Sequence, residues 1–60
     1  MFTEIKRVTK TDECGSVITR LFSLHGAWFV EQLDTYWNNV EKEIAFSLEE
    51  AEAMFAEWSR

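Results

Sequence analysis

Ala27-Trp28-Phe29-Val30-Glu31-Gln32-Leu33-Asp34-Thr35-Tyr36-Trp37-Asn38-Asn39-Val40-Glu41-Lys42-Glu43-Ile44-Ala45 is the stretch on which the fold turns, because it carries two periodicities at once. Taken two residues at a time, Ala27 to Leu33 is a strand that starts apolar on both sides, and Asn38-Asn39 can reverse the chain because Asn tolerates left-handed conformations. Val40 to Phe46 then alternates, with Val40, Ile44 and Phe46 on one face and Glu41 and Glu43 on the other. Lys42 interrupts the apolar row, but its stem can lie along the sheet with the ammonium in water. Taken at 100° per residue, the same stretch gathers Phe29, Leu33, Tyr36, Trp37, Val40 and Ile44 into one helical sector. Against the helix, weak helix formers crowd Asp34 to Val40, and Gly26 stands at the start of the stretch rather than just beyond its end.

The strand reading is preferred, and the regions on either side agree with it. Downstream, Ser47 and Glu50 have capping-box spacing, which starts a helix at Leu48. Leu48, Ala51, Phe55 and Trp58, with Met54 beside them, recur at the three-four spacing of one helical face. Glu49, Glu50 and Glu52 suit the amide-rich first turns, Arg60 follows the last turn, and Phe46 is placed to pack back near Ala51 as a hydrophobic staple.

Upstream, Phe2 to Lys10 has strand composition but imperfect alternation. Phe2, Glu4, Lys6 and Val8 would share one face, with Thr3, Ile5, Arg7 and Thr9 on the other. Thr11 to Ser16 reads as a polar turn, Val17 to Leu24 as a second strand, and His25-Gly26 as a two-residue hairpin connection into the third. The expected fold is therefore α+β, a small antiparallel ββββα meander with one C-terminal helix, in a single domain over residues 1–60. The alternative is a β-hairpin followed by two helices (ββαα).

A domain of 60 residues buries only about 60% of the surface its unfolded chain exposes, so it needs help from a disulfide, a metal or a second chain. Cys14 has no second cysteine to pair with, and His25 with one cysteine is too little for a structural zinc site. Association is left. Three tryptophans, five phenylalanines and one tyrosine are many rings for this length. One short helix covers only one side of a sheet whose third strand places Trp28, Phe29, Val30 and Leu33 on both. A homodimer is expected, made through sheet faces, sheet edges or exposed ring clusters.

Catalysis needs converging groups, and the sequence offers none: no catalytic residue, cofactor site or metal site is assigned. His25 sits in a turn with neither a neighbouring nucleophile nor an orienting carboxylate. Cys14-Gly15 is not a CxxC pair. Glycine-rich phosphate loops, zinc signatures and nucleophile elbows are absent from the sequence. The chain reads as a non-enzyme. It contains neither an apolar run of membrane-spanning length nor the apolar core of a secretory signal, so a cytoplasmic accessory protein of a bacterium or its virus is expected, with no membrane partner.

The net charge of −5 is unevenly placed. Lys6, Arg7, Lys10 and Arg20 leave the first third slightly positive, whereas Leu21 to Ser59 carries eight acidic residues against Lys42 alone. The expected function is a protein-binding or inhibitory module with an acidic and aromatic surface formed by Trp28, Trp37, Glu41, Glu43, Glu49 and Glu57. Its partner would be a protein with a basic surface. Two alternatives stand beside it. One is a structural subunit of a larger complex. The other is a single-stranded nucleic-acid binder using Lys6, Arg7, Lys10, Arg20 and Phe22, which combines positive charge with a stacking ring. In layout alone, a four-stranded sheet with a terminal helix also resembles small dimeric single-stranded-DNA binders.

Overall fold

The computed structural model describes residues 2–13, 15–34 and 39–60. Four antiparallel strands, β1 (Thr3–Asp12), β2 (Gly15–Leu24), β3 (Ala27–Asp34) and β4 (Asn39–Ala45), form one sheet in the order β1-β2-β3-β4, and α1 (Leu48–Trp58) follows. The deciding stretch is thus two strands, and the chain is an α+β ββββα meander. The competing hairpin with two helices is excluded, since Ala27–Asp34 pairs with β2 on one side and β4 on the other. The expected turn at Asn38-Asn39 lies partly outside the described residues, while Asn39 opens β4.

The hairpin between β2 and β3 sets the register for everything else. His25 (φ 52°) and Gly26 (φ 80°) both have positive φ, the condition for a type I′ turn whose twist matches the flanking strands. Leu24 pairs with Ala27 across it, and the ladder continues through Phe22 with Phe29, Leu21 with Val30 and Arg20 with Glu31. The first hairpin is tighter than the polar stretch Thr11 to Ser16 suggests. Asp12 pairs with Gly15, so both strands run through most of that stretch. The Thr11 and Ser16 hydroxyls meet across the ladder at 2.9 Å. Short polar side chains satisfied by each other in a ladder are compatible with strand as well as turn.

β1 departs from simple alternation. Glu4 pairs with Phe22 but Lys6 with Leu21, so the register slips by one residue in between. A bulge inserts a residue and changes the parity of all that follows it. The faces expected from alternation are therefore corrected: Glu4 shares a face with Arg7 and Thr9, while Lys6, Val8 and Lys10 share the other.

α1 lies across β2, β3 and β4 on the face that carries Leu21 and Val30. Leu21, Val30, Ala45, Ala51 and Phe55 form the core, with Val8, Trp28, Met54 and Trp58 packed around them. Leu21 and Val30 have no exposed surface and sit directly opposite each other. Ala45 and Ala51 are small where the helix crosses the last strand, which lets it approach closely. Two polar links tie its C-terminal end and its middle to the sheet. Gln32 Nε2 donates to the Trp58 carbonyl at 3.1 Å and to Thr19 Oγ1 at 3.2 Å, and Lys6 Nζ lies 2.6 Å from Glu52 Oε1.

Ser47 caps α1 as its spacing implies: it is extended (φ −149°, ψ 158°), and its hydroxyl accepts from the Glu50 amide at 3.1 Å. Two details differ from the expected helix start. Phe46 is 81% exposed, so it does not staple back onto Ala51, which is too small to hold a ring. Leu48 is also exposed, leaving Ala51 and Phe55 as the buried helical residues. Substituting Ser47→Ala should lower stability by about 1 kcal/mol, the usual worth of such a cap. In a domain of this size that shifts the thermal midpoint by roughly 4–8 °C. Thermal melts at one fixed protein concentration provide the check, and an unchanged midpoint would show that the cap contributes nothing.

Candidate protein-binding surfaces

The two faces of the sheet carry different chemistry because β2 and β3 alternate in step across the 25–26 turn. On the helix side, Leu21 and Val30 are the core. On the opposite, open side, three rows cross the strands: Thr9, Ile18 and Leu33; then Arg7, Arg20, Glu31 and Lys42; then Glu4, Phe22, Phe29 and Ile44.

The middle row is an ionic chain. An Arg20 nitrogen, Nε, donates to the Glu31 carboxylate, which is only 4% exposed. Arg7 donates from Nε at 2.9 Å to Glu4 Oε1 and places Nη2 2.8 Å from the same oxygen, with Arg20 Nη1 at 4.0 Å. The bulge makes this possible, since residues three apart on a regular strand point to opposite faces. The aromatic row lies alongside. Phe2 and Phe22 have ring centroids 4.8 Å apart, and Phe22 stacks on Phe29 at 5.3 Å. The Arg20 guanidinium carbon lies 5.1 Å from the Phe2 centroid and 5.2 Å from that of Phe22, while Lys42 Nζ lies 6.0 Å from Phe29. A guanidinium can stack on rings and bond a carboxylate simultaneously, which a lysine cannot do with the same geometry. Arg20 thereby screens both Phe22 and Glu31 from water. No buried side-chain polar atom among the described residues lacks a partner.

The site residues expected from sequence divide between these faces. Glu41 and Glu43 stand opposite Gln32 and Val30, on the helix side of β4, and both are exposed. Glu49 and Glu57 are exposed on α1. Trp28 is half-buried against the core, opposite Ala45, so it is part of the packing rather than a free anchor. Trp37 lies outside the described residues. The cations of β2 and β4, Arg20 and Lys42, both belong to the open face, so the helix side of those two strands carries acids without cations.

The residues of the nucleic-acid alternative do not come together. Lys6 and Lys10 fall on the helix side, where Lys6 pairs with Glu52. Arg7 and Arg20 fall on the open side, where both engage carboxylates. Phe22 is 5% exposed, with its ring already stacked within the chain, and offers no platform for a base. Among the described residues no group of three His, Cys, Asp or Glu side chains converges as a metal site, and no helix is long and apolar enough to cross a membrane. His25 is exposed at its turn.

The open-face row of Glu4, Glu31, Lys42, Phe29 and Ile44 was missing from the residues assigned by sequence. The signal for its centre was present, however. Once His25-Gly26 is the turn, residues equidistant from it must pair, which puts Arg20 against Glu31 and Phe22 against Phe29. The Glu4 contribution was hidden by the bulge.

Comparison with known protein families, curated proteins and solved structures finds no match. Function therefore has to be argued from these two surfaces. Their energetics are testable. Replacing Arg20 with Met keeps an apolar stem over the rings but removes a charged partner from the buried Glu31 carboxylate, and should cost about 3 kcal/mol. Replacing Arg7 with Met removes an exposed pair and should cost under about 1 kcal/mol. Urea denaturation of the two variants at equal concentration measures the difference. Equal costs would mean that Glu31 does not depend on Arg20.

Proposed function

We propose that the protein is a non-enzymatic protein-binding or inhibitory module, dimeric in its working form, that meets a basic protein partner with the helix-bearing side. The observation that carries this reading is the sorting of charge between the faces. Glu41, Glu43, Glu49, Glu50 and Glu57 are all exposed, on β4 and α1. The cations that bear on that side are Arg60, just beyond the end of α1, and Lys6 and Lys10 on β1 at the far edge of the sheet, where Lys6 is engaged by Glu52.

Such an arrangement leaves one side of a small molecule predominantly negative. It guides an oppositely charged protein into contact and excludes anionic partners, including nucleic acid. Contact energy would come from exposed apolar groups on the same elements and the link between them, among them Phe46 and Leu48 at the start of α1. The chain needs no catalytic group for this role.

The double substitution Glu41→Gln with Glu43→Gln should leave the far-ultraviolet spectrum unchanged, because both side chains are exposed on an edge strand. Affinity capture from the native cell, carried through a salt series, should retain a basic protein with the wild type. The variant should lose it at lower salt. Identical retention by both across the series would remove the electrostatic role. Labelled single-stranded oligonucleotides at low salt are expected to stay unbound by the folded protein, and tight binding would revive the nucleic-acid alternative.

A further inference from the structure

We propose that β4 is a docking edge: an extended basic segment of the partner protein pairs with it as a fifth strand and carries cationic side chains at alternate positions. This rests on the basic-partner reading above and adds what that reading lacks: the edge, the backbone mode and the order of charge that the edge selects.

β4 is the last strand of the sheet and is hydrogen-bonded to β3 on one side alone. The outward N–H and C=O groups of such an edge are a template for another strand. From Glu41 to Ala45 the ladder with β3 runs without a shift, the irregularity lying before Glu41, so the edge is unbroken there. It is also bare. Val40, Glu41, Lys42, Glu43 and Ile44 are all exposed, Val40 at 62% and Ile44 at 43%.

The order Glu41-Lys42-Glu43 selects the occupant. Glu41 and Glu43 are on the helix side and Lys42 is on the open side, so a strand laid alongside meets a carboxylate, a cation and a carboxylate in turn. Residues directly opposite in a ladder share a face and interact, so cations suit the two alternate positions and an apolar residue suits the one between. Ile44 is the next apolar contact on the open side. A second copy does not supply this pattern. When β4 pairs antiparallel with its own copy about a two-fold axis, residues of equal parity meet, and every register centred on Glu41, Lys42 or Glu43 sets that residue against itself. In β1 of a second copy the helix-side cations, Lys6 and Lys10, are four residues apart, so only one can stand opposite a carboxylate, and Lys6 is already held by Glu52. An extended segment of another protein, basic at every second residue, is the occupant that fits.

Two synthetic peptides of one composition separate order from charge: the first alternates lysine with valine, and the second has all its lysines in a block followed by its valines. Each is titrated into the isotope-labelled protein through a salt series. The alternating peptide should bind severalfold tighter than its isomer and should slow hydrogen exchange at the β4 amides that turn away from β3. The Glu41→Gln, Glu43→Gln protein should lose the preference between the isomers. Equal binding of the isomers by the wild type, or binding without slowed exchange in β4, overturns the added strand and leaves the basic-partner reading standing. Slowed exchange in β1 instead overturns the choice of edge. A preference that survives the double substitution overturns the part given to the two carboxylates. Failure of both peptides to bind even at low salt overturns the basic-partner reading and this inference together.

Discussion

A single helix of three turns cannot cover both faces of a four-stranded sheet, and that constraint governs the rest of the molecule. α1 is about 16 Å long at 1.5 Å per residue, enough to lie across three strands on one side only. On that side Leu21 and Val30 are withdrawn from water completely, and Phe55 with Ala51 closes over them. On the other side the chain substitutes its own long side chains for a second layer. Arg20 serves as that layer, spreading its guanidinium over Phe2 and Phe22 while bonding Glu31. This solution screens the middle of the face but not its edges. One face is roofed by α1; on the other, Phe22, Glu31 and Leu33 are buried and Phe2 and Ile44 stay exposed at the edges.

The sorting of charge follows from the same geometry. Because β2 and β3 meet across a two-residue turn, their residues fall into pairs, and the polar pair Arg20–Glu31 lands on the face that the helix does not cover. Had the register differed by one residue, these ions would have been driven under α1, where an uncompensated charge is far more costly. The acids of β4 and α1 are then free to make the helix side electronegative. It is this side that we propose meets a basic partner.

Much of the fold was legible in the sequence because its decisive signals are local. The cap at Ser47, the turn at His25-Gly26 and the weak helix formers from Asp34 to Val40 each have a mechanism confined to a few residues, and the strands and helix follow from them. What escaped was set by longer-range register. The bulge after Glu4 leaves no composition signal, yet it moves Arg7 and Lys6 to opposite faces and so dissolves the cluster of cations that the sequence suggests. Phe46 looked like a staple because its spacing is right, but Ala51 gives a ring nothing to grip, and the ring stays in water. The acidic candidates Glu41, Glu43, Glu49 and Glu57 could be placed from alternation and helical phase alone. The ionic row could not, since it draws one member from each of four strands.

The central claim is that the carboxylates on the helix side carry partner binding. Titrating the isotope-labelled protein with a polylysine peptide at low salt, and following its backbone amide shifts, tests it most directly. The account predicts shifts along β4 and α1 that fade as salt is raised. Shifts confined to β1 and β2, or none at all, would contradict it.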